Sequence, residues 1–269
     1  MSTQLSPLRE GRWAVVTGGS SGIGRAHAVE LAARGFDLVL VGRDAERLQS
    51  TRVAISTEHS VSVETVQLDL AEADAATELL RVLGDREIGV FTAVAGSGSP
   101  GDFVEGDLAT FLECVNLKVR TNLILLHAIA RAMSARGSGA IIIVSSTGAL
   151  QGVPQLANNA GTEAYLLAMA EALHHELAPH GVKVLGLMPG MTKTPGLSAM
   201  VAESDIPRTA QTPQQVAQES LAATEAGRVS HVSGLPNRIV LRALPRRART
   251  AFFARMISGV MKSSTVTAT

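Results

Sequence analysis

Short apolar runs alternate along the chain with longer segments in which apolar residues recur at helical spacing. The runs are brief, rich in β-branched residues and bounded by Gly, Asp or Ser, as is typical of buried strands. They predict strands at Trp13–Thr17, Asp37–Gly42, Ser62–Asp69, Ile88–Ala95, Ala140–Ser145 and Val182–Met188, with a weaker one at Val229–Gly234. The helices predicted between them are Ile23–Arg34, Glu46–Glu58, Ala71–Leu83, Leu108–Ala135, Asn158–His180 and Pro213–Ala226.

This alternation predicts an α/β fold, a doubly wound parallel sheet of about seven strands with helices on both faces. We expect residues 1–269 to form a single domain. From Arg246 to Lys262 the chain combines basic residues with an apolar stripe and has no acid, which predicts a basic amphipathic C-terminal helix. We favour a helix that covers the domain or an oligomer interface, and contact with a membrane surface is the less favoured alternative.

Composition narrows the possible partners and compartment. The 24 basic and 24 acidic residues balance, which argues against nucleic acid as a partner. No apolar run reaches the length of a membrane span, and the single cysteine, Cys114, rules out an intramolecular disulfide. We therefore expect a cytoplasmic protein. The spacing of His, Cys and Asp predicts no metal site, and Tyr165 is the only tyrosine.

A glycine-rich loop, Thr17–Gly24, follows the first predicted strand and opens the first helix. Glycines let the backbone turn sharply and approach a pyrophosphate, whose charge is favoured at a helix N-terminus. With a strand before it and a helix after it, the loop predicts a Rossmann-type dinucleotide site. Arg43, after the second strand, suits a 2′-phosphate and favours NADP(H) over NAD(H), although a surface pair with Asp44 or Glu46 is an alternative. Asp69 is placed to accept a hydrogen bond from the adenine amine.

The Thr17–Gly24 loop, Asp69, Asn116, Ser146 and Pro189–Gly190 together resemble the short-chain dehydrogenase/reductase family, over about residues 10–235. The resemblance implies carbonyl reduction or alcohol oxidation with NAD(P)(H), and assembly as a homodimer or homotetramer. It implies that Asn116 helps to position a proton-relay water and that Ser146 hydrogen-bonds the substrate oxygen. The residues expected to hold the cofactor are Gly18, Ser20, Ser21, Gly22, Ile23, Gly24, Arg43, Asp69, Leu70, Ala95, Gly96, Pro189, Gly190, Thr192 and Thr194.

The chain departs from the family at its central motif, Tyr-x-x-x-Lys, in which tyrosine is the general acid/base and lysine binds the nicotinamide ribose. Counting thirteen residues from Ser146 reaches Asn159, and four more reach Glu163. Tyr165 lies six residues past the expected position, on another side of the helix, where we expect it to pack. The family's Asn-Asn-Ala-Gly after the fourth strand is replaced by Ala93–Gly96, without the amides that tie this loop to the sheet.

These substitutions change the chemistry that the site can perform. An amide at Asn159 has no usable proton, and Glu163 puts an anion where the family has a cation, a change of two charge units that would favour oxidised nicotinamide. Asn159 and Glu163 are four residues apart and share a helix face. With Ser146 and Asn116 they are the candidate catalytic residues. Burial would let Glu163 serve as a general acid or base.

Three functions are compatible with this pattern. The first is an NADP(H)-dependent oxidoreductase in which water or another group replaces tyrosine. The second is an isomerase, dehydratase or cyclase that uses Glu163 for proton transfer. The third is a catalytically silent partner subunit. The segment Leu197–Thr212 is expected to cover the pocket, and its Leu197, Met200, Val201 and Ile206 favour a small apolar substrate.

Overall fold

The structure is a computed structural model that describes residues 4–6, 10–96, 98, 100–199, 206–251 and 253–255. Within these residues one parallel sheet has the strand order β3-β2-β1-β4-β5-β6-β7. Its strands are β1 Trp13–Thr17, β2 Asp37–Gly42, β3 Val63–Gln67, β4 Ile88–Ala93, β5 Gly139–Val144, β6 Val182–Met188 and β7 Ser230–Val232. Because the strand order reverses between β1 and β4, a crevice opens between their carboxyl ends.

Helices connect the strands and cover both faces of the sheet. They are α1 Gly22–Ala32, α2 Ala45–Glu58, α3 Ala75–Leu83, α4 Leu108–Val115, α5 Asn122–Arg136, α6 Ala157–Leu177, α7 Pro195–Ser198, α8 Pro213–Glu225 and α9 Leu235–Ala243. A π-helix, Asn116–Thr121, joins α4 to α5, and short 3₁₀ helices lie at Thr147–Leu150 and Ala178–His180. Each sheet-covering helix lies against an apolar face of the sheet.

The core consists of two apolar layers because successive side chains of a strand point to opposite faces of the sheet. Val15 and Phe91 belong to the layer that α3, α5 and α6 cover. Ala14 and Val90, their neighbours in the chain, belong to the layer that α1, α2 and α8 cover. Because helices cover both faces of the sheet, the side chains on both faces of its central strands are apolar. This explains the continuous apolar runs in the sequence. The predicted doubly wound α/β sheet is confirmed, including the weak seventh strand.

Strand positions agree with the predictions to within one or two residues at each end. β3 ends at Gln67, two residues before the predicted Asp69. The carboxylate Oδ1 of Asp69 accepts the N–H of Ala71 at 3.0 Å, and its carbonyl oxygen accepts that of Glu72 at 3.2 Å. This turn delays α3, so the helix begins at Ala75 instead of the predicted Ala71.

The predicted helix Leu108–Ala135 is interrupted by the π-helix Asn116–Thr121, which the apolar spacing does not reveal. The side-chain amide of Asn122 donates to the carbonyl oxygens of Leu117 at 3.4 Å and Lys118 at 3.0 Å. The amide stabilises the widened turn by hydrogen-bonding these two carbonyl groups. π-helical turns occur most often at functional sites, and this one contains Asn116 and Lys118.

The C-terminal region contains more helix than the sequence analysis predicts. Helix α9 was not predicted. The predicted basic helix of residues 246–262 is helical at 246–251 and 253–255, and its remaining positions lie outside the described residues. None of the helices in the described part of the chain has both the length and the apolar character to cross a membrane.

Candidate functional site

The glycine loop lies in the crevice between β1 and β4, and close backbone contacts fix its shape. Gly18 has φ +69°, and a Cβ on it would lie 3.2 Å from the backbone of Ala95. A Cβ on Gly24 would lie only 2.2 Å from the carbonyl oxygen of Gly18, so no larger residue fits there. The loop therefore curls against the start of α1, whose first N–H groups have no partner within the helix. This arrangement suits a pyrophosphate.

The loop after β4 is tied to the sheet by the hydroxyl of Thr17. The Oγ1 atom of Thr17 accepts the N–H groups of Val94 at 3.0 Å and Ala95 at 3.1 Å. The same hydroxyl lies 3.4 Å from the carbonyl oxygen of Thr92, to which it donates. Although the asparagine amides of the family are missing at Ala93–Gly96, the backbone of this loop is still hydrogen-bonded to β1.

A cavity of about 690 Å³ extends from the glycine loop along the carboxyl ends of β1, β2 and β4. Its lining includes most of the residues that the sequence assigns to the cofactor: Gly18, Ser20, Ser21, Gly22, Ile23, Gly24, Arg43, Asp69, Leu70, Ala95, Gly96 and Thr194. Pro189, Gly190 and Thr192 lie on the loop after β6, outside this lining. The Oγ1 of Thr192 donates to the carbonyl oxygen of Gly190 at 3.0 Å.

Arginines lie at the end of the cavity near β2. The side chain of Arg43 is 73% exposed, and its guanidinium lies 3.7 Å from the carboxylate of Asp69. Arg47, which the sequence analysis did not identify, also lines the cavity and pairs with Asp44 at 3.1 Å. Exposed pairs of this kind contribute little to stability, so both guanidinium groups can turn toward a phosphate.

The helix that replaces the family's Tyr-x-x-x-Lys motif meets a lysine from the π-helix. The ammonium of Lys118 donates to Oδ1 of Asn159 at 2.5 Å and forms an ion pair with Oε1 of Glu163. The side chains of Lys118 and Glu163 are only 6% and 9% exposed. The anion that the sequence predicts at position 163 is thus paired: Lys118 supplies a cation beside Glu163, which offsets part of the predicted two-unit change in charge.

Lys118 is the functional candidate that the sequence analysis missed. It lies 41 residues before Asn159 and 45 before Glu163, so no local spacing links them. A Cβ on Gly96 would lie 3.2 Å from Cε of Lys118, which places the lysine beside the wall of the cofactor cavity. One signal was available: a buried glutamate requires a cationic partner. The sequence predicted the burial but did not identify the partner.

The remaining candidates lie on segments that carry this ion pair or contact it. Ser146 follows β5, and its hydroxyl accepts the N–H of Gly148 at 3.0 Å. The preceding Ser145 donates through its hydroxyl to the backbone carbonyl of Glu163 at 2.9 Å, joining the end of the strand to α6. Asn116 is the first residue of the π-helix that carries Lys118. A Cβ on Gly98 would lie 2.8 Å from Oδ1 of Asn159, so the loop after β4 passes over the amide.

Other predicted positions have the surroundings of structural residues. Tyr165 is 37% exposed and so differs from the expected packing role, whereas Glu163, two residues earlier on the same helix, is 7% exposed. Cys114 is buried, with its sulfur 3.8 Å from the hydroxyl of Thr162. Residues 200–205, which include Met200 and Val201, lie outside the described residues. In the part of the chain that the structure describes, no three His, Cys, Asp or Glu side chains group as metal ligands.

Comparison with known proteins identifies the family. Residues 12–205 match the family model for short chain dehydrogenases. The 7beta-hydroxysteroid dehydrogenase of Clostridium sardiniense is 35% identical over 185 residues, which cover 69% of this chain and 71% of that protein. The human protein named inactive hydroxysteroid dehydrogenase-like protein 1 is 30% identical over 182 residues, and the match covers 66% of this chain but 55% of that protein.

A solved structure of a short-chain dehydrogenase from Sphingobium yanoikuyae in complex with NADPH superimposes with a TM-score of 0.79 at 26% identity. The superposition covers 90% of this chain and 94% of that one. The family model covers more than half of the chain, and the superposition shows the same fold. The chain belongs to the short-chain dehydrogenase/reductase family.

Proposed function

We propose that this chain is an NADP(H)-dependent oxidoreductase that interconverts a carbonyl and an alcohol on a small apolar substrate. The observation that carries the proposal is the cavity of about 690 Å³, in which the glycine loop, Arg43 and Asp69 lie at successive positions suited to a dinucleotide. The buried polar group of Lys118, Asn159 and Glu163 lies next to its wall at Gly96.

Preference for NADP(H) over NAD(H) rests on Arg43 and Arg47. Both guanidinium groups line the end of the cavity where an adenosine ribose would lie, and a 2′-phosphate would attract both. Asp44 and Asp69 already pair with these arginines, so a phosphate would compete with two carboxylates. The NADPH complex of the Sphingobium yanoikuyae protein supports the same assignment.

Around the substrate oxygen, this chain supplies hydrogen bonds without a titratable tyrosine. A nicotinamide bound in the cavity would supply the hydride. The hydroxyl of Ser146 and the amide N–H groups of Asn159 are the donors for an oxygen that becomes negative as hydride arrives. Since an amide does not give up a proton at working pH, we propose that the alkoxide takes its proton from water.

The substrate class is suggested by apolar residues near the site. Phe103 is 63% exposed and Val104 is 84% exposed, on the segment that continues from Gly98 over Asn159. The ring of Phe103 stacks on Phe111 at 5.3 Å, which holds it at the surface. Exposed apolar residues of this size indicate an apolar ligand or partner. The name of the Clostridium sardiniense relative makes a steroid-sized alcohol or ketone the first choice.

Cofactor binding tests this proposal first. Titration of the purified protein with NADPH and NADH should show tighter binding of NADPH. Arg43→Ala should weaken NADPH binding by about tenfold or more, the effect of one lost charge-assisted contact, and should leave NADH binding nearly unchanged. Arg52→Ala is the matched control, because Arg52 is exposed on α2 but lies outside the lining of the cavity. Equal affinity for both cofactors in the wild type would contradict the NADP(H) assignment.

Turnover is the second test. NADPH oxidation should be measured with steroid ketones and with small polar ketones, and consumption with the apolar set is expected. NADPH binding without any consumption would reject the redox function.

A catalytically silent partner subunit is the second candidate. The observation that favours it is Asn159, which cannot serve as a general acid, and the similar human protein is named inactive. NADPH binding without turnover, together with stable co-purification of an active relative, would support it. Assembly as a homodimer or homotetramer remains a prediction, to be measured by light scattering.

The isomerase, dehydratase or cyclase alternative is weaker in this structure. It requires Glu163 to exchange protons with a substrate, yet one of its carboxylate oxygens is bound to the ammonium of Lys118. The other oxygen, Oε2, is buried without a hydrogen-bond partner, so a substrate hydroxyl is still conceivable there. If Glu163→Gln abolished a cofactor-independent turnover of the natural substrate, this alternative would replace our proposal.

A further inference from the structure

Lys118 is buried at a position where the proposed reaction needs ordered hydrogen-bond donors. Only 5% of the residue is exposed, although a lysine almost never loses contact with water unless it is paired. Its ammonium spans two helical segments, because Lys118 lies on the π-helix while Asn159 and Glu163 lie on α6. The ammonium thus links the partly buried Asn159 to the buried Glu163.

We infer that Lys118 is a positioning residue: its ammonium fixes the amide of Asn159 so that the N–H groups of this amide, and not its oxygen, face the substrate. This inference rests on the proposed oxidoreductase function. It adds to that function the source of the site's hydrogen-bond geometry.

The chemistry of the two groups determines which of their atoms meet. An ammonium has three donors and no acceptor, so the atom of Asn159 that it contacts must be the oxygen, Oδ1. The contact of 2.5 Å therefore determines which way the amide points. The opposite end of the amide, Nδ2, carries two N–H donors. Position 159 can then present N–H donors to a substrate oxygen, while its own oxygen is turned toward Lys118.

Glu163 keeps the ammonium in place. Its Oε1 atom binds Lys118, and its backbone carbonyl accepts the hydroxyl of Ser145, so both ends of the residue are fixed. A lysine at position 163 would place two ammonium groups side by side, which is unfavourable in a buried site. Asn159 and Glu163 are therefore a matched pair of substitutions in the presence of Lys118: the acid holds the lysine, and the lysine holds the amide.

The same contacts would exist if the ion pair served only to join the π-helix to α6. The two roles differ in what they require of Asn159. A structural role needs only an acceptor for the ammonium, and an aspartate at 159 would meet that need. The positioning role needs the N–H groups of the amide, and an aspartate has none.

The test compares three variants of the full-length protein saturated with NADPH. Asn159→Asp keeps an acceptor for Lys118 and removes the donors. The double variant K118M/E163Q removes both charges together, which avoids leaving one charge buried alone. The matched control is R81M/E78Q, an ion pair at 2.6 Å on the surface of α3. Turnover of a steroid ketone, its KM and the NADPH dissociation constant are measured for each.

We expect N159D and K118M/E163Q to lower kcat at least tenfold, while KM and NADPH affinity change less than threefold and the control behaves as wild type. Unchanged kcat in N159D would overturn the inference and leave a structural ion pair. Equal loss of NADPH affinity and kcat in both variants would also overturn it, because the lysine would then act on the cofactor.

A second measurement decides the inference if the wild type reduces no ketone, in which case the proposed function itself fails. In ¹⁵N-labelled protein, the two side-chain amide protons of Asn159 should have well-separated signals that shift in K118M/E163Q and not in R81M/E78Q. Asn159 signals identical in wild type and K118M/E163Q would show that Lys118 does not fix the amide.

Discussion

The two ends of the crevice have diverged to different degrees. At the cofactor end the family's pattern is retained: Gly18 and Gly24 have the close backbone contacts of a dinucleotide loop. At the catalytic end the two central side chains differ, and Lys118 pairs with the new Glu163. A Cβ on Gly24 would lie 2.2 Å from the carbonyl oxygen of Gly18, so the position accepts only glycine, whereas a charge can be supplied from another helix. Shape is therefore harder to replace than charge.

Thr17 fixes the loop after β4 at the boundary between the two ends. The amide side chains of the family's motif are missing from this loop, and the hydroxyl of Thr17, which belongs to the glycine-rich loop that resembles the family, binds the backbone N–H groups of Val94 and Ala95. The backbone of the loop therefore keeps an acceptor although the amides are gone.

Of the changes considered, restoring the family's residues at the catalytic end should have the largest effect, and the quantity it should raise is the rate of ketone reduction. The variant K118M/N159Y/E163K reinstates a titratable hydroxyl beside a cation and removes the second lysine. General acid catalysis of this kind should raise ketone reduction by about 1,000-fold. N159Y alone is the control, because the ammonium of Lys118 stays paired with Glu163 in that variant, so its tyrosine should raise turnover far less. No gain in the triple variant, measured as NADPH oxidation, would mean that the catalytic end has lost more than its proton donor.

The cofactor end should be sensitive to acid through His27. This residue of α1 bonds the carbonyl oxygen of Ile23 at 2.9 Å and the hydroxyl of Ser220 on α8 at 3.1 Å. Burial lowers the pKa of His27 from 6.5 to about 4. Below pH 6.5 the imidazole of His27 binds a proton in the unfolded chain but not in the folded chain. The free energy of unfolding therefore falls with pH until the pH reaches about 4, where the folded chain binds the proton as well.

The loss attributable to His27 should be about 3 kcal/mol in the free energy of unfolding. Urea unfolding between pH 7.5 and 4 measures it, and His27→Gln should remove this part of the pH dependence. An identical pH dependence in wild type and H27Q would show that other groups are responsible.

A smaller effect is expected from Gly24→Ala. The added methyl group would meet the carbonyl oxygen of Gly18, and the resulting shift of the loop should weaken NADPH binding by about tenfold to a hundredfold. Gly161→Ala on α6 is the control, because a Cβ there meets no atom within 4 Å. If G24A bound NADPH as tightly as wild type, the loop would be more adaptable than its contacts indicate.

Most of the fold could be predicted from the sequence because the strands are apolar on both faces. β1, β2 and β6 have the predicted bounds. Asp69 was harder to interpret: its apolar neighbours suggest a longer strand, but its carboxylate closes a turn with Ala71. Polar side chains that bind their own backbone can end a strand earlier than periodicity suggests.

The catalytic end could be predicted only in part. The spacing of the family's motif, counted from Ser146, identified Asn159 and Glu163, because these three residues lie close together in the sequence. Lys118 was not predicted, because it contacts these residues only in the folded chain, 41 and 45 positions away in the sequence. The π-helix also changes the register of the helix that carries it. The helical periodicity of Leu108–Ala135 is continuous, so the apolar pattern contains no sign of the extra residue in the turn.

The extra residue of the π-helix makes the direction of the Lys118 side chain sensitive to the deletion of a single residue. A π-helical turn is equivalent to an α-helix with one inserted residue, and one residue corresponds to a rotation of about 100° around the axis. Deleting a single residue between Asn116 and Thr121 would restore an uninterrupted α-helix and turn either α4 or Lys118 to a new direction. The amide of Asn122 would lose its two carbonyl partners at the same step. One codon thus determines whether the lysine reaches α6.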